Sequence, residues 1–208
     1  MDISAPMEPV HSWRDIALHL GIITIGLFIA LSLEGLVQYL HDRNLVHEAR
    51  ANIRQELQID DVATQKDINR IQQGIDVLKA NIATIHKLQT NPSAQGSLIN
   101  SMAFDNLDDA AWRTARDTGA LSFMPYSEVQ RYSDLYMLED LVNQKAIAAG
   151  ERNFQANAPT LMGYDFDKLP PQEFVQMLRD NAATEIDLIT LKQYLVQLDK
   201  QLQDELKK

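Results

Sequence analysis

The sequence predicts an all-α protein in which an N-terminal transmembrane helix continues into a long helix. This long helix is expected to pack with the C-terminal helix in an antiparallel, coiled-coil-like helical bundle. Three observations predict the fold: an apolar run near the N-terminus, the lack of any proline between Pro9 and Pro92, and two segments with apolar residues at alternating spacings of three and four. That spacing is typical of helices packed along a seam, whereas strands require strict alternation.

The apolar run covers residues 16–33. Its polar side chains are His19, Thr24 and Ser32. As a helix the run is about 27 Å long, close to the hydrocarbon thickness of a bilayer. We therefore predict a short tail at 1–14 and a transmembrane helix at 15–40. Two alternatives are a buried helix of a soluble protein, which normally shows a polar face, and a cleaved signal peptide, which has a shorter apolar region and a more basic start.

Small residues lie four apart at two places in the predicted transmembrane helix: Ala17 with Gly21, and Gly26 with Ala30. Small residues at this spacing let helices approach closely in lipid, so these four are candidate positions for transmembrane packing. The alternative is that they simply fit an apolar helix.

The extramembrane bundle is expected to comprise residues 41–208 and to begin with a helix at about 41–89. Its distal part carries an apolar seam sustained for about three heptads. The seam residues are Ile68, Ile71, Ile75, Leu78, Ile82 and Ile85. Extrapolated backward, the seam reaches Thr64, Asp61 and Leu57 and becomes more polar. Polar groups on such a seam set the register of packing at a cost in stability.

Two shorter helices are expected after a break at 90–97, which contains proline and glycine. The first is predicted at about 108–118, with Gly119 where a left-handed C-cap belongs. The second is predicted at about 125–155, because Pro125 suits the first turn of a helix. Both would close the bundle.

The last helix is expected at about 171–206. Its apolar residues keep the same spacing, with interruptions at Asn181 and Thr184. They are Phe174, Met177, Leu188, Leu191, Leu195, Leu198 and Leu202. Residues 57–89 and 172–205 each make about 50 Å of helix, so the two seams match in length and an antiparallel pairing is the simplest arrangement.

Composition and motifs argue against several classes of function. The net charge is −10, whereas a nucleic-acid binder needs clustered Lys and Arg. The chain has no cysteine, which removes disulfides, thiolate catalysis and Cys-ligated metal sites. HExxH, GxSxG, P-loop and GxGxxG motifs are missing from the sequence. We therefore expect no catalytic residues, no cofactor and no metal, and no nucleic-acid partner.

One set of aromatic and arginine side chains is a candidate ligand or interaction surface, because such groups hold anionic or aromatic ligands by stacking and cation–π contact. The set comprises Trp112, Arg113, Arg116, Tyr126, Arg131, Tyr132 and Tyr136. The alternative is that the rings are packing residues where helices meet and the arginines are solvated.

Two stretches resemble a known family. The segment "SWRDIALHLGIITIGLFIALSLEGLVQYLHDRNLVHEARANIRQEL" resembles the N-terminal part of an uncharacterised bacterial family of single-pass inner-membrane proteins, which have an anchor helix and a helical extramembrane domain. "AWRTARDTGALSFMPYSEVQRYSDLY" is similar to their recurring pattern of a Trp, a Gly seven residues on and an aromatic-rich helix. The resemblance implies an inner-membrane anchor with a periplasmic bundle, and it implies no activity.

The charges beside the apolar run favour a different orientation. Arg14 precedes the run, whereas Arg43, Arg50 and Arg54 follow it, and a literal positive-inside count favours a cytoplasmic bundle. Acidic residues are interleaved with these arginines, and large domains translocate despite a modest charge bias. Both orientations remain open at this point, with the periplasmic one favoured by the resemblance.

The function predicted from these observations is that of a non-enzymatic single-pass membrane protein. Its partners would be the lipid bilayer and either another protein or a second copy of the chain, with the bundle as a scaffold, interaction module or accessory subunit. The alternative is a ligand-sensing bundle that signals through a partner. An enzyme with an unrecognised site is a third hypothesis.

Overall fold

The computed structural model describes residues 13–91, 93–94, 96–100 and 102–208, and these form five α-helices and no β-strand. The helices are α1 (Trp13–Thr90), α2 (Ala110–Asp117), α3 (Tyr126–Ala156), α4 (Ala158–Leu161) and α5 (Pro171–Leu206). Short 3-10 helices lie at Ala120–Phe123 and Phe166–Lys168. The predicted all-α class is confirmed, as is the packing of the long N-terminal helix against the C-terminal helix.

The chain divides into two compact units, the first ending at His47 and the second running Glu48–Lys208. Helix α1 contributes residues to both. Residues 1–12 of the predicted tail lie outside the described residues. The last two residues of that tail, Trp13 and Arg14, belong to α1.

The described part of the first unit is helical and has an apolar surface. Large side chains of the apolar run are exposed, as at Phe28, which is 65% exposed. Each polar side chain of the run bonds to a backbone carbonyl oxygen one turn earlier, at 2.7–2.8 Å. These side chains are His19, Thr24 and Ser32. The polar groups of the run are therefore satisfied within the helix, which is the condition that a hydrocarbon environment imposes.

The second unit is built on three long helices: residues 48–90 of α1, α3 and α5. Helix α5 runs antiparallel to α1, because Arg54 bonds to the carbonyl oxygen of Leu206 at 2.6 Å, while Gln72, further along α1, bonds to Lys192, earlier in α5. Ion pairs show that α3 is antiparallel to α5 as well. They join Arg131 to Glu205 at 3.2 Å and Arg152 to Asp187 at 2.5 Å. Helix α3 consequently runs in the same direction as α1.

The buried seam of α5 matches the sequence pattern and includes its two polar interruptions. The buried residues are Phe174, Met177, Asn181, Thr184, Leu188, Leu191, Leu195, Leu198 and Leu202. Asn181 donates to the carbonyl oxygen of Met177 at 2.8 Å, and Thr184 donates to that of Asp180 at 2.8 Å. The helix itself thus supplies partners for polar groups that face the core.

The buried seam of α1 differs from the predicted seam in its polar members. Asp60 rather than Asp61 is buried, and Ile68 and Ile82 are only half-buried. Ile75 of the predicted seam is buried, next to Gly74. The other buried positions of α1 from residue 53 onward keep the three-four spacing. They are Ile53, Leu57, Asp60, Thr64, Asp67, Ile71, Gly74, Leu78, Asn81, Ile85 and Leu88. A Cβ added at Gly74 would lie 3.2 Å from Leu188 Cδ1, so this glycine permits close approach of α5.

Three of the polar seam residues hold the chain that follows α1. We call residues 96–100 and 102–109 the return segment, because they run back along α1. Asn81 bonds to both the N–H and the carbonyl oxygen of Ile99, at 2.9 and 2.8 Å. Asp67 accepts the N–H of Asp105 at 2.9 Å. An irregular segment packed on a helix needs partners for its backbone groups, and the seam supplies them. The third, Asp60, is described with the site below.

Helix α3 holds the return segment from its other side. Asn143 bonds to both backbone groups of Leu107, at 3.1 and 2.9 Å. Asn153 donates to the Asn100 side chain at 2.5 Å. The return segment therefore occupies the groove between α1 and α3, and it brings the following helix, α2, to a defined place on the bundle.

An apolar cluster is buried at the end of the bundle where α1 finishes. Its residues are Ile85, Leu88, Leu98, Phe174 and Met177. Phe166, in the loop before α5, packs against the cluster, whereas Tyr164 of the same loop is 52% exposed.

Candidate functional site

The structure brings three of the seven candidate residues together. Trp112, on α2, stacks on Tyr136 of α3 with ring centroids 5.4 Å apart and planes at 17°. It also meets Tyr132 edge-on at 6.4 Å and 62°. Both tyrosines are buried, so one face of the indole is covered by protein. Stacked and edge-to-face pairs stabilise packing beyond their buried area, and here they fasten α2 to α3.

The other four candidate residues make no ring contact with this stack. Tyr126 is 81% exposed. Each of the three arginines pairs with a carboxylate: Arg113 with Asp109 at 3.1 Å, Arg116 with Asp117 at 3.0 Å, and Arg131 with Glu205 at 3.2 Å. All three arginines are therefore already paired with carboxylates of the chain.

A carboxyl group of α1 lies beneath the aromatic stack. Glu56 Oε1 accepts the Tyr136 hydroxyl at 2.7 Å, and its Oε2 accepts the N–H of Ala111 at 2.8 Å. Glu56 thus ties the first turn of α2 and the middle of α3 to α1. Burial raises the pKa of Tyr136 above its ordinary value, and the bond to Glu56 raises it further.

Two further acids, Asp60 and Glu139, are each 2% exposed. Asp60 Oδ1 accepts the N–H of Asp108 at 3.3 Å. The other oxygen of Asp60 and both oxygens of Glu139 lack a hydrogen-bond partner among the described residues. We call Glu56, Asp60 and Glu139 the acid cluster. Burying an ionised carboxylate without a partner is costly, so such groups take up protons.

The pKa values of Asp60 and Glu139 are raised. Burial raises the pKa of Glu139 to about 9, with additional repulsion from Asp60, Glu56 and Asp109. Burial also raises the pKa of Asp60 to about 7, opposed by the N–H of Asp108 and reinforced by repulsion from Glu56 and Asp108. At neutral pH Glu139 is therefore protonated, while Asp60 is close to its midpoint.

A surface cavity of about 280 Å³ borders the acid cluster. It is lined by Asn52, Gln55, Glu56, Ile59, Asp60, Asp108 and Ala111. The cavity therefore lies beside Glu56 and Asp60, between α1 and the start of α2. In the part of the chain that the structure describes, no three His, Asp or Glu side chains are placed to hold a metal ion together.

Sequence reasoning missed the acid cluster. One signal was available: Asp60 and Thr64 occupy consecutive core positions of a heptad pattern. Glu139 lies between Tyr136 and Val142 on the apolar face of α3. Acids at core positions are rarely fully buried unless paired, and they mark a special environment.

Further cavities lie on the second unit, and one of about 250 Å³ is lined by the candidate residue Arg131 together with Glu205 and Lys208. Two others are relevant to binding. One, of about 280 Å³, is lined by Arg70, Gly74, Met102, Phe104 and other residues of α1, the return segment and α5. The other is an open groove of about 620 Å³ between α3 and α5, which includes Met137, Leu141 and Tyr194.

The apolar part of α1 is the other functional feature. Among the described residues, α1 is the one helix with a stretch long and apolar enough to cross a membrane, and none of the 18 residues of that stretch is buried. The candidate packing residues Ala17, Gly21, Gly26 and Ala30 lie within the apolar part of this helix. A Cβ added at Gly21 or Gly26 would find no other described atom within 4 Å, so any helix packed there would come from outside the described chain.

Comparison with known proteins places this chain in no family. None of the family models, curated proteins or solved structures compared with it matches.

Proposed function

We propose that this chain is a single-pass protein of the bacterial inner membrane. It acts without catalysis, as a scaffold or accessory subunit of a membrane assembly, and its second unit lies in the periplasm. The observation that carries the proposal is the 18-residue apolar stretch of α1, none of which is buried. A core helix of a soluble protein would bury this stretch. The three polar groups of the run bond within the helix, which suits lipid.

The second unit supports a binding role rather than a chemical one. The arginines near the aromatic stack are neutralised by carboxylates. The open groove between α3 and α5 exposes Met137, which is 68% exposed, beside Leu141 and Tyr194. Such a surface suits contact with another protein or with a second copy of the chain.

Membrane association is tested by fractionation of the full-length chain. We expect the wild type to sediment with membranes, to resist a high-salt wash and to be released by detergent. The double variant Ile22→Arg/Ile25→Arg should appear in the soluble fraction, because each arginine near the centre of a span costs about 3 kcal/mol. Both side chains are 62% exposed, so their replacement leaves the packing of the described chain unchanged.

Ile59→Arg is the matched control. Ile59 is 63% exposed but lies in the second unit, so this variant should remain in the membrane fraction. Wild-type protein found in a detergent-free high-speed supernatant would refute the proposal. Cross-linking in intact membranes tests the accessory role, and recovery of monomer alone with no attached partner would contradict it.

A further inference from the structure

Several buried polar atoms without a hydrogen-bond partner lie at the same height along the helices of the second unit. We call this height the level of the acid cluster. Asp60 and Thr64 lie one turn apart on the buried face of α1, and Glu139 lies on the buried face of α3. Asp60 Oδ2, Thr64 Oγ1 and both oxygens of Glu139 are buried and have no hydrogen-bond partner within the described residues. Thr64 is fully buried, and the two acids are 2% exposed. Buried polar groups normally have partners, so the absence of partners for these atoms requires an explanation.

The groups that face this level are acids and apolar side chains. The neighbours that act on Glu139 are Asp60 and Glu56 from α1 and Asp109 from the start of α2. Glu56 and Asp108 act on Asp60. Helix α5 meets the same level with its buried Leu195, Leu198 and Leu202, and its Asp199 acts on the more exposed Asp61. Asp109 pairs with Arg113, but none of the ion pairs among the described residues involves Glu56, Asp60 or Glu139. Full ionisation of these three would leave several negative charges together in a poorly solvated place.

A proton fits this level better than a metal ion does. A bound Ca²⁺ or Mg²⁺ ion needs several oxygen ligands that converge on one point. No such group of three carboxylates or imidazoles exists in the described ranges. A proton needs only a buried carboxyl group, and a protonated carboxyl group gains a donor that neighbouring oxygens can accept.

The acids also hold α2 in place. Asp60 accepts the N–H of Asp108, and Glu56 accepts the N–H of Ala111. Glu56 also accepts the Tyr136 hydroxyl, and Tyr136 carries the stacked Trp112 of α2. The cavity beside Glu56 and Asp60 opens at this place. Movement of α2 away from α1 would therefore admit water to the acid cluster and relieve its repulsion.

We propose that Asp60 and Glu139 form a proton-binding pair that keeps α2 and the end of the return segment seated on α1, and that loss of these protons releases α2 from the bundle. The second unit would then respond to pH in the neutral to mildly alkaline range, since the pKa of Asp60 is about 7 and that of Glu139 about 9. A surface covered by α2, which includes Tyr136, would become available on release.

Trp112 fluorescence in the full-length chain reconstituted in lipid nanodiscs tests the proposal. A Trp13→Phe background leaves Trp112 as the only tryptophan, because the chain contains two. We expect a reversible red shift of its emission between pH 6 and 9.5. Burial raises the pKa of Tyr132 and that of Tyr136, which disfavours ionisation of the phenols beside Trp112 in the folded state.

Two variants and a control assign the shift to the pair. Glu139→Gln and Asp60→Asn remove one titrating group each, so each should move the midpoint by at least about half a pH unit or abolish the transition. Asp140→Asn is the matched control, because Asp140 is the exposed neighbour of Glu139 and bonds to Gln144. It should leave the midpoint unchanged.

A direct titration of the wild type tests the pair even if a variant fails to fold. Carbon-13 carboxyl shifts of wild-type Glu139 should show protonation persisting above pH 7. Titration of this carboxyl group below pH 6 would overturn the proposal, as would an unchanged transition in both Glu139→Gln and Asp60→Asn. Suppression of the transition by millimolar Ca²⁺ or Mg²⁺ at constant pH would also overturn it, in favour of a metal site.

Discussion

Glu139 is destabilising where it lies, because its buried carboxyl group has no hydrogen-bond partner in the described chain. Glu56, at the same level of the bundle, has the opposite environment. One of its carboxylate oxygens accepts a hydrogen bond from the Tyr136 hydroxyl, and the other accepts one from the backbone N–H of Ala111. The two acids therefore contribute differently to stability, because only Glu56 has hydrogen-bond partners for both of its oxygens.

The stability of the second unit should depend on pH through Glu139. Its folded-state pKa, about 9, exceeds the ordinary value of 4.5, so the folded protein holds a proton that the unfolded chain releases. The free energy of unfolding therefore falls as pH rises from about 4.5 to about 9. We expect Glu139→Met to raise this free energy by about 1–3 kcal/mol at pH 8 and by less at pH 5.

Thermal unfolding of the full-length chain in detergent at both pH values measures this effect. Glu151→Met is a suitable control, because Glu151 is an exposed residue of the same helix. If Glu139→Met lost stability with rising pH as steeply as the wild type does, Glu139 would not be the titrating group.

At the scale of elements, polar residues on the α1 seam explain how an irregular segment packs in the core. The side chains of Asn81 and Asp67 form hydrogen bonds with backbone groups of the return segment, and Asn143 does so from α3. A seam of leucines alone would leave these part-buried peptide groups without a protein partner, and each lost hydrogen bond costs about 0.5–1.5 kcal/mol. The polar seam positions thus have a structural role in addition to setting register.

Asn81→Ala should destabilise the second unit by about 1–3 kcal/mol, because it leaves both backbone groups of Ile99 without their partner. Hydrogen exchange of the amides at 98–100 should become faster, and chemical denaturation gives the change in stability. Asn69→Ala is the matched control, since Asn69 is exposed on α1 and bonds only to the carbonyl oxygen of Gln65 in the described structure. Equal effects of the two substitutions would show that the Asn81 bonds do not hold the segment.

At the scale of the whole molecule, the chain combines an apolar helix with an acidic bundle. The net charge of −10 disfavours adsorption of the bundle to anionic headgroups, so membrane association would depend on the apolar stretch of α1. The pairs on the bundle surface, such as Arg152 with Asp187, are partly exposed and contribute little to stability at physiological salt.

The proposed periplasmic location makes a prediction about topology. A C-terminal alkaline phosphatase fusion to the full-length chain should be active in bacteria, and a C-terminal green fluorescent protein fusion should be dark. Adding three lysines before Trp13 should leave this result unchanged, because positive charge before the span favours a cytoplasmic N-terminus. A bright fluorescent fusion with an inactive phosphatase fusion would place the bundle in the cytoplasm.

The sequence by itself determined the long helices, because hydrophobic periodicity is a local property that each segment carries, and the matching length of two seams indicated that α1 pairs with α5. Leu188, Leu191, Leu195, Leu198 and Leu202 repeat at the spacing of a packed helix, and their buried positions follow from that spacing alone. The apolar run is equally local, since length and composition suffice to recognise it.

Only the tertiary structure decided which groups the buried polar residues of α1 and α3 meet. Asp60 is buried because the return segment, nearly fifty residues later, lies over one face of α1 and supplies the N–H of Asp108. Asp61 lies outside this contact and is only half-buried. Trp112 covers Tyr136 rather than an open pocket because α2 is seated on α3 by the same segment. These environments depend on contacts between residues far apart in the chain, and no local pattern encodes them.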